Sequence, residues 1–129
     1  MPAPSQYTYS TAIKIEAQTA LKDALDAGSS NAKLFIKAND DTILSTLLLT
    51  DPCGTINGDG SLTLTFLGPD TNAAATGTAG YGEFVTSDNV VCLSLPVVQG
   101  ESPKSGYLVM NTPLILAGGT VSIINAQVG

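Results

Sequence analysis

The sequence predicts a mainly β protein, an antiparallel β-sandwich or jelly roll preceded by one N-terminal amphipathic α-helix. Apolar residues follow a helical spacing only within residues 10–28. After residue 31, short apolar runs recur about every 8–12 residues between turn-forming residues, which is typical of sandwiches and jelly rolls. The chain of 129 residues has the length of one domain. We therefore expect an extended arm over residues 1–9 and a single β-sandwich domain over residues 10–129 that includes the helix.

The helix is predicted from its caps and from one apolar face. Ser10 is suited to the N-cap, and Gly28 is suited to the C′ position after the last turn. The apolar residues between them recur at helical spacing and form one stripe: Ile13, Ala17, Ala20, Leu21, Ala24 and Leu25. We expect this stripe to pack against the core.

The strands are predicted from alternating or continuous apolar runs bounded by turn residues. Asn57–Gly60 is the clearest turn, and residues 51–54 and 97–104 are predicted to lie outside strands. The Gly118-Gly119 pair predicts the tightest hairpin of the chain. The predicted strands cover residues 32–38, 43–50, 61–67, 81–85, 90–95, 107–111, 114–116 and 121–124.

Composition excludes several functional classes. The net charge is −6, the chain has five lysines, and it has neither arginine nor histidine. A chain without histidine cannot build a Ser-His-Asp triad, a Cys-His pair or an imidazole metal ligand. A chain with few, scattered cations cannot build a basic footprint for nucleic acid. We therefore expect no enzyme activity, no catalytic residues and no nucleic-acid partner.

The sequence shows little evidence of membrane insertion or of a disulfide framework. No secretory leader is recognisable at the N-terminus, and the longest apolar run, Leu44–Leu49, is interrupted by polar residues, so we expect no membrane partner and synthesis in the cytoplasm. Cys53 and Cys92 could form one disulfide, but we expect two free and largely buried thiols. No C-x-x-C spacing is present, so we expect no metal at the cysteines.

The acidic and glycine-rich segments were considered as ligand sites. Asp40-Asp41 and Asn57–Ser61 offer carboxylates, but the position where an EF-hand loop requires glutamate is Gly68. The Gly77–Gly82 segment matches neither a Walker motif nor a dinucleotide fingerprint. Both acidic segments are predicted to be turns, and no metal or cofactor is expected.

The N-terminal arm contains the residues that we predict to form an interface. Pro2 and Pro4 restrict the conformations of the free chain and so lower the cost of ordering it. Tyr7 and Tyr9 supply large amphipathic side chains of the kind that is enriched at interfaces. We expect residues 2–9 to contact another protein.

The order of several segments resembles a family of small virion structural proteins of tailed bacteriophages, of the capsid decoration or cement type. The resemblance covers roughly residues 9–126. Its best signature is Ala75-Thr76-Gly77-Thr78-Ala79, followed by Asn111-Thr112 and Gly118-Gly119-Thr120-Val121. An arginine that often follows the first signature in this family is absent here, so a charged contact at that position is not carried over.

The resemblance implies a structural protein on the capsid surface of the virion. Its expected partners are the major capsid protein and further copies of itself, most simply as a homotrimer at a three-fold position of the lattice. Two alternatives remain open at this point. The chain could be a tail or baseplate structural protein, or a module of the same virion that binds glycans on the host surface.

Overall fold

The computed structural model describes residues 10–104 and 106–128. It is mainly β with one N-terminal helix, as predicted. The elements are α1 Thr11–Asp26, β1 Lys33–Lys37, β2 Ile43–Ile56, β3 Leu62–Phe66, β4 Gly77–Thr78, β5 Tyr81–Val85, β6 Val91–Gln99, β7 Tyr107–Met110, β8 Leu114–Ile115 and β9 Asn125–Val128.

Seven strands close into a barrel in the order β1-β2-β3-β9-β7-β6-β5, while β4 and β8 form a separate two-stranded sheet. This closed barrel replaces the expected sandwich or jelly roll. The pairings are antiparallel except for β6 with β7, which is parallel. Alternation of buried and exposed residues, as in β1 with Leu34 and Ile36 inside, is the same in a barrel and in a sandwich. The sequence pattern therefore could not distinguish the two architectures.

Strand β2 continues through the segment that was predicted to end it. Leu49 pairs with Phe66 and Gly54 pairs with Leu64, so four residues of β2 bulge out opposite one residue of β3. Such a bulge accommodates the exposed Pro52, since a proline cannot donate to a ladder. A Cβ at Gly54 would lie 2.3 Å from the Thr63 carbonyl oxygen, which explains the glycine.

The C-terminal hairpin that the sequence predicts does not form. The turn itself is present, because Gly119 N–H donates to the Leu116 carbonyl at 2.8 Å, but β8 pairs with β4. The barrel is closed by β9, a strand that the sequence analysis missed. Strand β6 also extends to Gln99, into the predicted loop, because its end pairs with β7.

The helix forms as predicted, but only part of its apolar stripe packs against the barrel. The Ser10 hydroxyl accepts a hydrogen bond from Ile13 N–H at 3.3 Å, which confirms the N-cap. Leu25 is fully buried and Leu21 is half-buried, whereas the rest of the stripe is exposed: Ile13, Ala17, Ala20 and Ala24. The expectation that the whole stripe packs in the core was therefore wrong.

Polar contacts tie the C-terminal turn of the helix to the bulge of β2. Asp26 Oδ1 accepts a hydrogen bond of 2.8 Å from Cys53 N–H in the bulge of β2. The Lys22 carbonyl lies 3.9 Å from Cys53 Sγ. At the end of the helix, a Cβ on Gly28 would lie 2.0 Å from Ser87 Oγ, so glycine is required there by close packing.

Candidate functional site

The four residues predicted to form an interface, Pro2, Pro4, Tyr7 and Tyr9, lie outside the described residues. The surface of the barrel offers the other candidate contacts. Among the described residues, ten large hydrophobic side chains are exposed: Ile13, Ile15, Ile43, Leu48, Leu67, Val90, Val91, Leu114, Leu116 and Ile124.

Two of these side chains border a groove that we call the Gly68 groove, defined as the two adjoining depressions on either side of Gly68–Pro69. The depressions share Leu47, Gly68 and Pro69 and have volumes of about 370 and 360 Å³. The first is completed by Thr65, Phe66, Ser122 and Ile123. The second is completed by Thr46, Leu48, Leu67, Asp70 and Thr71.

The groove lies where the barrel wall is least continuous. The ladder between β3 and β9 ends at the pair Thr63–Gln127. The next backbone pairing is the single bridge Asp70–Val121. Residues 64–69 and 122–126, which lie between these two pairs, are all described, and no backbone pairing joins one segment to the other. The first depression occupies part of this interval, because it has lining residues on both sides of it.

The Gly68 groove has a mixed polar and apolar lining, with apolar side chains in its floor and at one rim. Leu47 is only 2% exposed and forms part of the floor, and Phe66 and Ile123 are half-buried beside it. Leu48 and Leu67 are 47% and 61% exposed at the rim. They are neighbours, since Leu67 N–H donates to the Leu48 carbonyl at 3.0 Å.

The one carboxylate of the groove is already engaged by the protein. Asp70 Oδ2 accepts hydrogen bonds from the Ser45 hydroxyl at 2.6 Å and from Thr46 N–H at 3.3 Å, and Oδ1 accepts one from Asn72 N–H at 3.0 Å. Burial raises the pKa of Asp70, but these three hydrogen bonds outweigh burial, and its pKa is lowered. Asp70 also carries the bridge to Val121, so it acts as a structural tie between the two segments.

The acidic segments considered from the sequence are turns. Asp59 Oδ1 accepts hydrogen bonds from the Ser61 hydroxyl and Ser61 N–H, at 2.6 and 3.0 Å, and these bonds lower its pKa. Asp40 accepts from Thr42 N–H at 3.2 Å, and hydrogen bonding by Thr42 lowers its pKa. Neighbouring Asp41 accepts from the hydroxyl of Tyr81, and this hydrogen bond raises the pKa of Tyr81 to about 12.

The two cysteines are free thiols, as expected, but they differ in burial. Cys53 is fully buried beneath the helix, and Cys92 is half-buried. Burial, and then the nearby Asp26 carboxylate, raise the pKa of the Cys53 thiol to about 12. Because the thiolate is the reactive form, Cys53 is a core residue rather than a nucleophile.

The groove could have been suspected from two features of the sequence. In Leu47-Leu48-Leu49, a strand that alternates must place the middle leucine on the opposite face from its neighbours. Phe66-Leu67 likewise breaks the alternation of β3. What sequence reasoning could not supply is that Ser122 and Ile123 lie across from them.

Comparison with known proteins gives no match, either to a family model, to a curated protein or to a solved structure. Within residues 10–104 and 106–128, no group of three or more His, Cys, Asp or Glu side chains is placed to hold a metal ion. In the same ranges, no helix combines the length and hydropathy needed to cross a bilayer.

Proposed function

We propose that this chain is a capsid decoration protein of a tailed bacteriophage. In this proposal it binds the outer surface of the major capsid protein lattice as a homotrimer and stabilises the head. The segments that resemble virion structural proteins support it. So does the mainly β body, which suits a rigid module that works by surface contact.

The observation that carries the proposal is the exposure of ten large hydrophobic side chains among the described residues of a small chain. Single exposed apolar residues are ordinary on a protein surface, but clustered ones mark sites of interaction. Here Leu48 and Leu67 are neighbours at the Gly68 groove, and Ile13 and Ile15 are both exposed on α1. A decoration protein uses several such surfaces at once, because it contacts both its own copies and the lattice.

Residues 2–9 provide the second contact in this proposal. Tyr7 and Tyr9 can each bury about 150 Å², which at about 25 cal/mol per Å² is a gross gain of about 7 kcal/mol for both rings. Ordering the backbone costs a comparable amount, about 1–2 kcal/mol per residue. The arm therefore adds net binding free energy only when its main chain also forms hydrogen bonds with the partner. Many such weak contacts, made at once by several copies, bind tightly through avidity.

The proposal is tested on capsids that lack the protein. Purified full-length protein and a variant without residues 2–9 are added to such capsids, and occupancy and thermal stability of the particles are measured. We expect the full-length protein to occupy the lattice in hundreds of copies and to raise the temperature of capsid disruption. We expect the deletion to fold normally and to bind at much lower occupancy.

Two further measurements distinguish the alternatives. A tail or baseplate protein would be present in a handful of copies, or in a multiple of six, in purified virions. A glycan-binding module would attach to host cells in the absence of capsids. Failure of the full-length protein to bind the capsid lattice would overturn the proposal, whatever the behaviour of the deletion.

A further inference from the structure

We propose that the Gly68 groove is the receptor for residues 7–9 of a second copy of this chain, with Tyr7 and Tyr9 seated in its two depressions. The inference deepens the proposed function and rests on it for the idea that the N-terminal arm makes contacts. It adds the site, the occupant and the mode of recognition.

The chemistry of the groove favours an uncharged segment whose side chains combine apolar rings with hydrogen-bonding groups. Its floor is apolar, its rim carries Leu48 and Leu67, and its other polar side chains are the hydroxyls of threonines and a serine. Among the described lining residues Asp70 alone is charged, and it is satisfied by three hydrogen bonds within the chain. A charged ligand would therefore lose its hydration without gaining a partner.

The interruption of the barrel wall adds backbone recognition. Between Thr63–Gln127 and Asp70–Val121 the two edges carry no ladder pair with each other, although every residue there is described. An extended segment can pair with such an edge through its main chain, as in β-strand addition.

Residues 1–9 match this selection. They read Met-Pro-Ala-Pro-Ser-Gln-Tyr-Thr-Tyr and contain no charged side chain, in a protein whose net charge is −6. In an extended segment, residues i and i+2 lie on the same face, about 6.6 Å apart. Tyr7 and Tyr9 have this spacing, and the two depressions adjoin, since they share Leu47, Gly68 and Pro69.

The reach of the chain favours a second copy over the same copy. The helix begins beside Gly60, because a Cβ there would lie 3.2 Å from the Thr11 carbonyl oxygen. The regular strand β3, Leu62–Phe66, lies between Gly60 and most of the groove and spans roughly 13 Å at about 3.3 Å per residue. Tyr9 directly precedes Ser10, so its Cα lies within about 4 Å of that residue. The short reach of Tyr9 therefore favours seating both tyrosines in the groove of a second copy.

The experiment uses purified full-length protein and needs no capsid. One preparation carries the photoreactive residue p-benzoylphenylalanine in place of Tyr7, and a second is uniformly labelled with ¹⁵N. The two are mixed at millimolar concentration and irradiated, and crosslinked peptides are assigned by mass spectrometry. We expect position 7 of the unlabelled copy to crosslink to residues 65–70 or 122–123 of the labelled copy.

A matched pair of substitutions tests the site. Leu67 and Leu116 are both 61% exposed, and only Leu67 lines the groove. We expect Leu67→Lys in the labelled copy to reduce the crosslink about tenfold, since a lysine at the rim must be desolvated. Leu116→Lys should leave it unchanged, and both variants should keep the circular dichroism spectrum of the original chain.

Each other outcome overturns the inference. Crosslinks within one copy would identify the same chain as the occupant, and crosslinks to other residues would place the arm elsewhere. Absence of any crosslink, or an equal effect of Leu67→Lys and Leu116→Lys, would show that the groove does not bind the arm. Capsid binding is measured separately, so its failure would be distinguishable from each of these results.

Discussion

The helix α1 and the strand β1 both carry clear apolar periodicity, yet they use it in opposite ways. In β1 the alternating residues Leu34 and Ile36 are fully buried in the barrel. In α1 only Leu25 of the stripe is fully buried, and Ile13 at the other end is 49% exposed. The comparison teaches that periodicity identifies the apolar face of an element, whereas the neighbouring elements decide whether that face is covered.

The reason lies in what each element contacts. Strand β1 is paired on both edges, to β2 and β5, so its inward face is enclosed by the barrel. Helix α1 is held near its C-terminal end by the hydrogen bond from Cys53 N–H to Asp26 and by packing of Leu25, and its first turn lies against Gly60. Side chains on the face turned away from these contacts, such as Ile13, are exposed.

The largest expected loss of stability comes from truncating a core side chain of the barrel. Phe84 is fully buried and lies 6.4 Å from Phe66 between ring centroids. Phe84→Ala should lower the free energy of unfolding by about 3–5 kcal/mol, since it removes buried area and leaves a cavity. Urea unfolding followed by circular dichroism measures it. A loss under about 1 kcal/mol would contradict the assignment of Phe84 to a tightly packed core.

The next largest loss of stability is expected where Leu25 of the helix packs on the barrel. Leu25→Ala should cost about 2–3 kcal/mol and should increase access to Cys53, which lies beneath this part of the helix. In the native protein, iodoacetamide should modify Cys92 faster than Cys53, because burial protects Cys53 and raises the pKa of its thiol. Leu25→Ala should narrow this difference in rate.

The control for this measurement is the denatured protein. Without reducing agent, both thiols should react at similar rates in urea. If neither reacts there, the cysteines are bridged and the description of two free thiols is wrong.

Replacing Asp70 should have a smaller effect on the free energy of unfolding, and this effect should depend on pH. Asp70→Asn should lower stability by about 1 kcal/mol at pH 7, because it weakens hydrogen bonds to a charged acceptor. The pKa of Asp70 is lowered in the folded protein, so its contribution is present above the unfolded pKa of about 3.9 and is lost as pH falls through the folded value. The two proteins should therefore converge in stability from about pH 4 downward.

Urea unfolding at a series of pH values between 7 and 3 tests this expectation. Asp23→Asn is the matched control, since Asp23 is exposed on the helix. A difference between the original chain and Asp70→Asn that stays constant down to pH 3 would show that ionisation of Asp70 does not stabilise the fold.

The smallest effect is expected on the outward face of the helix. Ile13→Ala should change the free energy of unfolding by less than about 0.5 kcal/mol, because the side chain is half exposed and alanine is a strong helix former. Thermal unfolding of the two proteins, measured side by side, gives the difference. A loss near that of Leu25→Ala would mean that Ile13 is covered in solution.

Local features were predictable from the sequence because local chemistry determines them. Ser10 caps the helix, and Asn57–Gly60 forms a turn in which Gly60 has a φ of 88°. Strand β5 has the predicted bounds, Tyr81–Val85. In each case the signal resides in a few consecutive residues whose backbone preferences agree with the final structure.

The failures concern partners that are distant in sequence. The turn of the predicted hairpin after Leu114 does form, but the two segments beside it do not pair with each other. Strand β8 pairs with β4, and Val121 pairs with Asp70. The bulge of β2 at Pro52 was mistaken for the end of a strand, because a proline interrupts donation locally while the strand continues beyond it. The Gly68 groove was missed, since it combines the ends of β2 and β3 with residues 122–123.

The sequence by itself determined the mainly β class, the one helix with its N-cap, the positions of most turns and the absence of histidine and arginine chemistry. Each of these depends on residue types or on spacings of a few residues. Tertiary contacts determined that the sheet closes into a barrel, that most of the helix's apolar stripe stays exposed and that the pairing of β3 with β9 stops before Gly68. These features depend on contacts between segments that are distant in sequence. Alternation and helical spacing identify the apolar face of an element, but they carry no information about which segment packs against that face.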